Sequence, residues 1–156
     1  MTTVPIKTCE TLQVGDTGTF RKTVTEHDVF AFADVSGDYN PLHVDEEYAR
    51  RSVFGKRIAH GIISAGIIST VLGGVIPGLG TIFVELQIRF VKPVFIGDTV
   101  TATATVLEII NPKRVRLLVA CHNQNGIDVA IGNAIVVPPK DTKLLDFEGN
   151  VIIATK

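Results

Sequence analysis

Two cysteines, Cys9 and Cys121, are all that 156 residues contain. They are too few and too far apart in sequence for a disulfide framework or a thiolate metal cluster, so two free thiols and a reducing compartment are expected. Nor is there an excess of charge of either sign: Lys plus Arg number 15 against 16 for Asp plus Glu. No summed field therefore draws the chain to nucleic acid or to an anionic membrane. The opening Met1-Thr2-Thr3-Val4-Pro5 lacks the basic and apolar regions of a secretory signal. The most apolar run, residues 58–79, is interrupted by His60, two serines and five glycines, which spoils it as a membrane span. No internal repeat or low-complexity tract is evident. A soluble, cytoplasmic protein is the expectation.

What is present is apolar material, 46% hydrophobic against 20% charged residues, enough at this length for one domain with a real core. A first strand is expected over 17–24, after a Gly15-Asp16 turn. Thr25 then opens a helix as N-cap, with Asp28 as capping-box partner and Val29, Phe30, Phe32 and Ala33 as the buried side; Gly37 ends it. A short helix follows with Asp45 as N-cap, Glu46 and Glu47 in its first turn and Arg50 and Arg51 in its last, an order that suits the helix dipole. From Gly61 to Leu72 apolar residues fall on nearly all faces, which predicts a helix wrapped on nearly all sides. Period-two segments at 81–90, 99–106, 115–121 and 127–137 supply the wrapping, with turns at Asn111-Pro112 and Asn125-Gly126. As consecutive neighbours these four strands form an antiparallel meander. The fold class is thus α+β: a single hot-dog domain, a curved antiparallel sheet wrapped around a central buried helix. Its core spans about 15–138, and residues 139–156 read as a C-terminal surface extension.

One stretch carries chemistry rather than packing. Between Ser36 and His43 run Gly37, Asp38, Tyr39, Asn40, Pro41 and Leu42. Gly37, Asn40 and Pro41 argue against a regular helix or central strand, so Asp38 and His43 are expected on a shaped loop. An acid and an imidazole on one loop make a candidate site. The same residue types also build ordinary surface turns, in which Asp38 bonds its own backbone and His43 is merely exposed. The spacing alone leaves both readings open.

The run from Phe32 through Asp45, followed by Arg57-Ile58-Ala59-His60-Gly61, resembles the MaoC-like (R)-specific enoyl-CoA hydratases. Phe90-Val91-Lys92-Pro93-Val94 and Gly97-Asp98 are similar to later segments of that family, and the likeness covers roughly residues 15–138. It implies hydration of a trans-2-enoyl-CoA to an (R)-3-hydroxyacyl-CoA. Asp38 and His43 would hold one water between them, His43 serving as base and Asp38 orienting the water and completing the proton path, although one shared water allows either residue to be called the base. An imidazole titrates near neutrality, which suits a group that takes a proton and returns it within one turnover. The Gly61 N–H, at the start of the buried helix, would meet the negative charge on the thioester oxygen; helix-start packing also explains a glycine there. Asn40 would orient the Asp38 loop, although its preference for a pre-proline turn accounts for it as well. His60 reads as a structural hydrogen-bonding residue beside Gly61. Ser69 occupies a position where similar hydratases carry a pocket serine, and like Ser64 it also reads as a helix hydroxyl bonded one turn back. Arg57, Arg89, Lys92, Lys113 and Arg114 are candidate partners for coenzyme A phosphates and also ordinary exposed cations.

Neither a metal nor a cofactor is expected, coenzyme A being part of the substrate. The implied partners are the acyl-CoA thioester and a second copy of the chain, as a homodimer or dimer of dimers, because related folds build the acyl tunnel between subunits. Nucleic acid and membrane are not expected partners. Other readings stand beside the hydratase: a 3-hydroxyacyl-thioester dehydratase on acyl-carrier protein, another hot-dog acyl-CoA enzyme such as a thioesterase, and a non-catalytic acyl-CoA-binding module. Carrier-protein dehydratases and thioesterases of this fold generally place an acidic residue on the central helix, and residues 60–72 contain none. A binding module would be expected to have lost Asp38 or His43, and both are present.

Overall fold

The computed structural model describes residues 6–140. Met1–Pro5 and all of the expected C-terminal extension beyond Lys140 lie outside the described residues. The element order is β1 (Thr17–Thr23), α1 (Glu26–Ser36), α2 (Pro41–Val44), α3 (Glu46–Arg50), α4 (Gly61–Gly74), β2 (Ile82–Phe90), β3 (Thr99–Asn111), β4 (Arg114–His122) and β5 (Asp128–Val137). The strands form one antiparallel sheet in the order β1-β3-β4-β5-β2. Period-two patterning sets its inner face: Val100, Ala102, Ala104 and Val106 of β3 and Val115, Leu117, Val119 and Cys121 of β4 are buried. Against them pack Ile67, Ile68, Val71 and Leu72 of α4. Each such large side chain contributes about 1.5–3 kcal/mol by leaving water. This is the hot-dog arrangement. No helix among the described residues is long and apolar enough to cross a membrane.

The meander is corrected in one respect. β3, β4 and β5 are consecutive neighbours, but β2 lies at the far edge and pairs with β5, with a register shift between Phe83 and Glu85. Alternation identifies strands without saying which are adjacent. The link from Val91 to Asp98 is too long for a tight hairpin and is bonded elsewhere: the Ala59 N–H donates to Val94 O (2.7 Å), and the Val24 N–H to Asp98 O (2.8 Å). The chain is thereby led across the site before β3 begins.

Burial of the central helix is corrected too. Ser64, Ile67, Ile68, Val71 and Leu72 are buried, whereas Ile62, Gly66, Ser69 and Thr70 are exposed. A single sheet has one concave face and covers one side of a helix. The β2 edge is also apolar and open, with Ile82 61%, Val84 45% and Phe90 45% exposed.

The chain entering the site forms largely as its residues predict. Thr25 and Asp28 make a reciprocal capping box at the start of α1, and Gly37 ends the helix in the left-handed region at φ 78°. Phe30, expected on the buried side, is 39% exposed. Helical spacing puts Val29 and Ala33 on the inner stripe and leaves Phe30 on its flank, under the Arg57 guanidinium (5.7 Å). Asp45 caps α3 by accepting from the Tyr48 N–H at 2.9 Å.

Candidate active site

His43 stands not on an open loop but on the single helical turn α2. Proline is tolerated at the first helical position, where its missing N–H has no partner to lose, and Asn40 caps the turn by accepting from the Leu42 N–H at 3.1 Å. The expected loop thus shortens to residues 37–40. Ring orientation follows from a second contact: His43 Nδ1 lies 2.8 Å from Ile58 O. A carbonyl oxygen only accepts, so Nδ1 carries the proton and Nε2 keeps a free lone pair.

Asp38 follows the Gly37 cap. Its N–H donates to Ser36 Oγ, and its Oδ1 accepts from the Asn40 N–H, both at 3.2 Å. Its side chain is half-exposed, at 51%. Asn40 therefore touches both members of the pair, orienting the carboxylate through its backbone and starting the His43 turn through its side chain. His60, only 3% exposed, donates from Nε2 to the Asp38 carbonyl at 2.9 Å. Its ring packs at a tilt against those of His43 (centroids 3.9 Å apart, planes at 32°) and Phe32 (4.7 Å, 52°). Potential ligand atoms of Asp38, His43 and His60 all lie within 4.8 Å of one another. Two imidazoles and a carboxylate are a chemically reasonable donor set for a cation. Here His60 Nε2, 4.0 Å from Asp38 Oδ2, already spends its proton on the Asp38 carbonyl, a bond that cation binding through Nε2 would break.

A cleft of about 380 Å³ opens beside the cluster. His43, Ile58, Gly61, Ser64, Phe90 and Lys92 are among its walls, and its size is that of a small-molecule site. Asp38 belongs to the cluster without lining this cleft. Gly61 is the first residue of α4, and its N–H has no hydrogen-bond partner among the described residues. That amide and the helix dipole present positive potential to the cleft. A Cβ on Gly61 would sit 3.2 Å from the Phe90 ring. A second depression, about 400 Å³ around Arg89, Leu118 and Asn133, contains none of the cluster residues.

The structure thus gathers Asp38, Asn40, His43, His60 and Gly61, and does not bring Ser69 to them. Ser69 is exposed, about two turns along α4 from Gly61. The serine on the cleft wall is Ser64, one turn from Gly61 on the same face. Sequence reading missed Phe90 as a neighbour of Gly61, because the partner of a strand end cannot be read from its own alternation. Of the basic candidates, Arg57 is committed to Glu26 and to Glu46, the latter at 3.0 Å, while Lys92 lines the cleft.

Fold and site together define a hot-dog protein with an acid–imidazole pair beside a cleft that His43 and the first residue of the central helix both line. The chain belongs to the MaoC like domain family, whose model matches residues 13–123. It is 44% identical over 130 residues to the (R)-specific enoyl-CoA hydratase of Rhodospirillum rubrum, covering 83% of this chain and 90% of that protein. It is 43% identical over 132 residues to the 3-hydroxybutyryl-CoA dehydratase of Methylorubrum extorquens, covering 84% and 83%. Among solved structures, the unliganded R-hydratase PhaJ1 of Pseudomonas aeruginosa matches with a TM-score of 0.84 at 38% identity, over 88% of this chain and 89% of that one.

Proposed function

We propose that this protein is an (R)-specific enoyl-CoA hydratase, a hydro-lyase that adds water to a trans-2-enoyl-CoA and catalyses the reverse dehydration. The observation that carries the reading is the grouping of Asp38 and His43, whose polar side-chain atoms come within 4.8 Å of one another, with the Nδ1 proton of His43 committed to Ile58 so that Nε2 is its uncommitted nitrogen. Two relatives at 44% and 43% identity, named as a hydratase and a dehydratase of CoA thioesters, support the reaction and the carrier.

A water held between Asp38 and His43 loses a proton to His43 Nε2 as its oxygen bonds to C3. The C2–C3 electron pair moves toward the thioester, and the enolate oxygen is met by the Gly61 N–H. The proton then passes from the site to C2, so one water is consumed and the enzyme returns to its starting state. Asp38 orients the water and offsets the imidazolium. The reaction needs no metal and no cofactor beyond the substrate's own coenzyme A.

The active form is a homodimer. The exposed Ile62 of α4 and the exposed apolar residues of the β2 edge support this, since a second copy would cover them and close the acyl pocket beside Phe90. Ser69, on the exposed side of α4, enters a site only in such an assembly. The two free thiols fit a cytoplasmic setting. Purified protein assayed with a chain-length series of enoyl-CoA thioesters, and with the same acyl groups on a carrier protein, tests the reading. The expected result is (R)-3-hydroxyacyl-CoA from the CoA series. Turnover confined to carrier-protein thioesters would move the substrate class, and no product from either series would reject the hydratase. Sedimentation as a monomer at working concentration would reject the dimer.

A further inference from the structure

We infer that His60 is a positioning residue of the hydration, a donor that holds the backbone of Asp38 in place, and that its action lies wholly in Nε2. The inference rests on the hydratase reading and assigns a role to a side chain outside the proton-transferring pair.

His60 immediately precedes α4 as its N-cap residue yet makes no side-chain cap bond there. Its ring is instead turned under the Asp38 loop, with Nε2 donating to the Asp38 carbonyl at 2.9 Å. The partner must be the acceptor because it is a carbonyl, so Nε2 carries the proton and Nδ1 holds the lone pair. Nδ1 is buried and has no hydrogen-bond partner among the described residues. A proton carrier needs a lone pair that reaches substrate or water, and the only one on this ring does not. Leaving a buried ring nitrogen unsatisfied carries a cost that a leucine or phenylalanine at the same place would avoid.

The other nitrogen accounts for that cost. Gly37 to Asn40 is a short segment whose other ties are local in sequence, among them Asp38 N–H to Ser36 Oγ, Asn40 N–H to Asp38 Oδ1 and Tyr39 N–H to Gly37 O, each 3.2 Å, and the Tyr39 hydroxyl to the Asp34 carboxylate. The His60 bond is a tie from this segment to the residue that begins α4, and so to Gly61. It fixes the distance between the carboxylate that orients water and the amide that receives the enolate oxygen. Ring contacts with His43 and Phe32 fix the orientation of His60 itself, locking the donor before substrate arrives.

Three substitutions separate donor from ring. His60→Gln carries an amide N–H near the place of Nε2; His60→Asn reaches only the place of Nδ1; His60→Leu fills volume without a donor. In the hydratase assay, kcat falls about ten- to a hundredfold in the Leu and Asn variants, with KM within about threefold, and His60→Gln recovers most of the loss. Amide hydrogen exchange at Asp38 to Asn40 speeds up in the Leu and Asn variants and not in Gln. Nitrogen-15 shifts of the wild-type ring report a proton on Nε2 and none on Nδ1.

A folded His60→Leu protein with wild-type kcat and wild-type loop exchange would reduce His60 to packing and overturn the inference. So would a His60→Gln protein as slow as Leu with a protected loop, since the ring would then act in the chemistry, or a proton found on Nδ1. If wild-type protein hydrates no enoyl thioester, the functional reading fails separately, and loop exchange with ring tautomer still decides whether His60 holds Asp38.

Discussion

Replacing His43 separates its two jobs, and the separation gives numbers. Nδ1 donates to Ile58 O at 2.8 Å, and the Ile58 N–H donates to Leu42 O at 3.2 Å, so α2 is clipped to residue 58 at two points. In His43→Asn the amide nitrogen falls near the place of Nδ1 and keeps the first bond. In His43→Gln it falls near Nε2 and loses that bond. Neither variant has a base, so both should lose about 10²–10⁴ in kcat, the ordinary contribution of a positioned general base. At about 1.4 kcal/mol per tenfold, that is about 3–5 kcal/mol of barrier. One net hydrogen bond contributes about 0.5–1.5 kcal/mol, and a domain of this size shifts by about 2–4 °C per kcal/mol. The Gln variant should therefore melt about 1–6 °C below wild type, and the Asn variant within about 1 °C of it. The assay is loss of enoyl thioester absorbance with crotonyl-CoA, run beside thermal unfolding on the same preparations. A folded variant with kcat within about threefold of wild type would show that the proton goes elsewhere. Equal melting losses in Asn and Gln would show that the Ile58 bond is not what orients the ring.

Asp38→Asn keeps an oxygen to accept from the Asn40 N–H, so a normal melting curve with at least about a hundredfold lower kcat is expected; near-normal turnover removes Asp38 from the mechanism. Gly61→Ala puts a methyl group 3.2 Å from the ring of Phe90, which is 45% exposed and able to give way, so the fold survives while kcat/KM drops about ten- to a hundredfold. Unchanged kinetics in that variant would leave Gly61 as packing only. Gly132→Ala is expected to be the more damaging to stability, because its Cβ would meet Gln87 O at 1.9 Å, a backbone atom of the β2–β5 pairing; a loss under about 1 kcal/mol in chemical denaturation would contradict that geometry. Burial pushes the Cys121 thiol from 9.0 up to about 12, so its contribution to stability is complete below pH 9 and drains as pH rises toward 12. Alkylation at pH 8 should spare Cys121 in the folded protein and label it in denaturant; equal labelling in both would contradict its burial.

Local rules carried the sequence reading furthest where they act within a few residues. The Thr25–Asp28 capping box, the Gly37 stop and the Asp45 cap all formed as their residue types dictate. So did the inner faces of β3 and β4, where small and branched residues alternate with polar ones. What escaped were choices settled at long range. Pro41 argued against a helix until its place at the first turn, capped by Asn40, made it compatible with one. β2 reads like its neighbours in sequence, but it lies at the far edge, and the 91–98 link that leaves it is bonded to residues 24, 59 and 129. The apolar pattern of α4 predicted burial on nearly all sides, but one chain supplies one concave face. Of the candidate site, the motif that carries Asp38, His43 and Gly61 was legible in the sequence. The His60 bond to the Asp38 carbonyl was not, because a side-chain-to-backbone contact between residues 22 apart leaves no periodic trace.

The measurement that bears most directly on the whole account is stereochemical. Crotonyl-CoA incubated with purified protein in water should yield 3-hydroxybutyryl-CoA of (R) configuration, with Asp38→Asn and His43→Asn producing almost none. An (S) product, a free acid with release of coenzyme A, or wild-type turnover in either folded variant would contradict it.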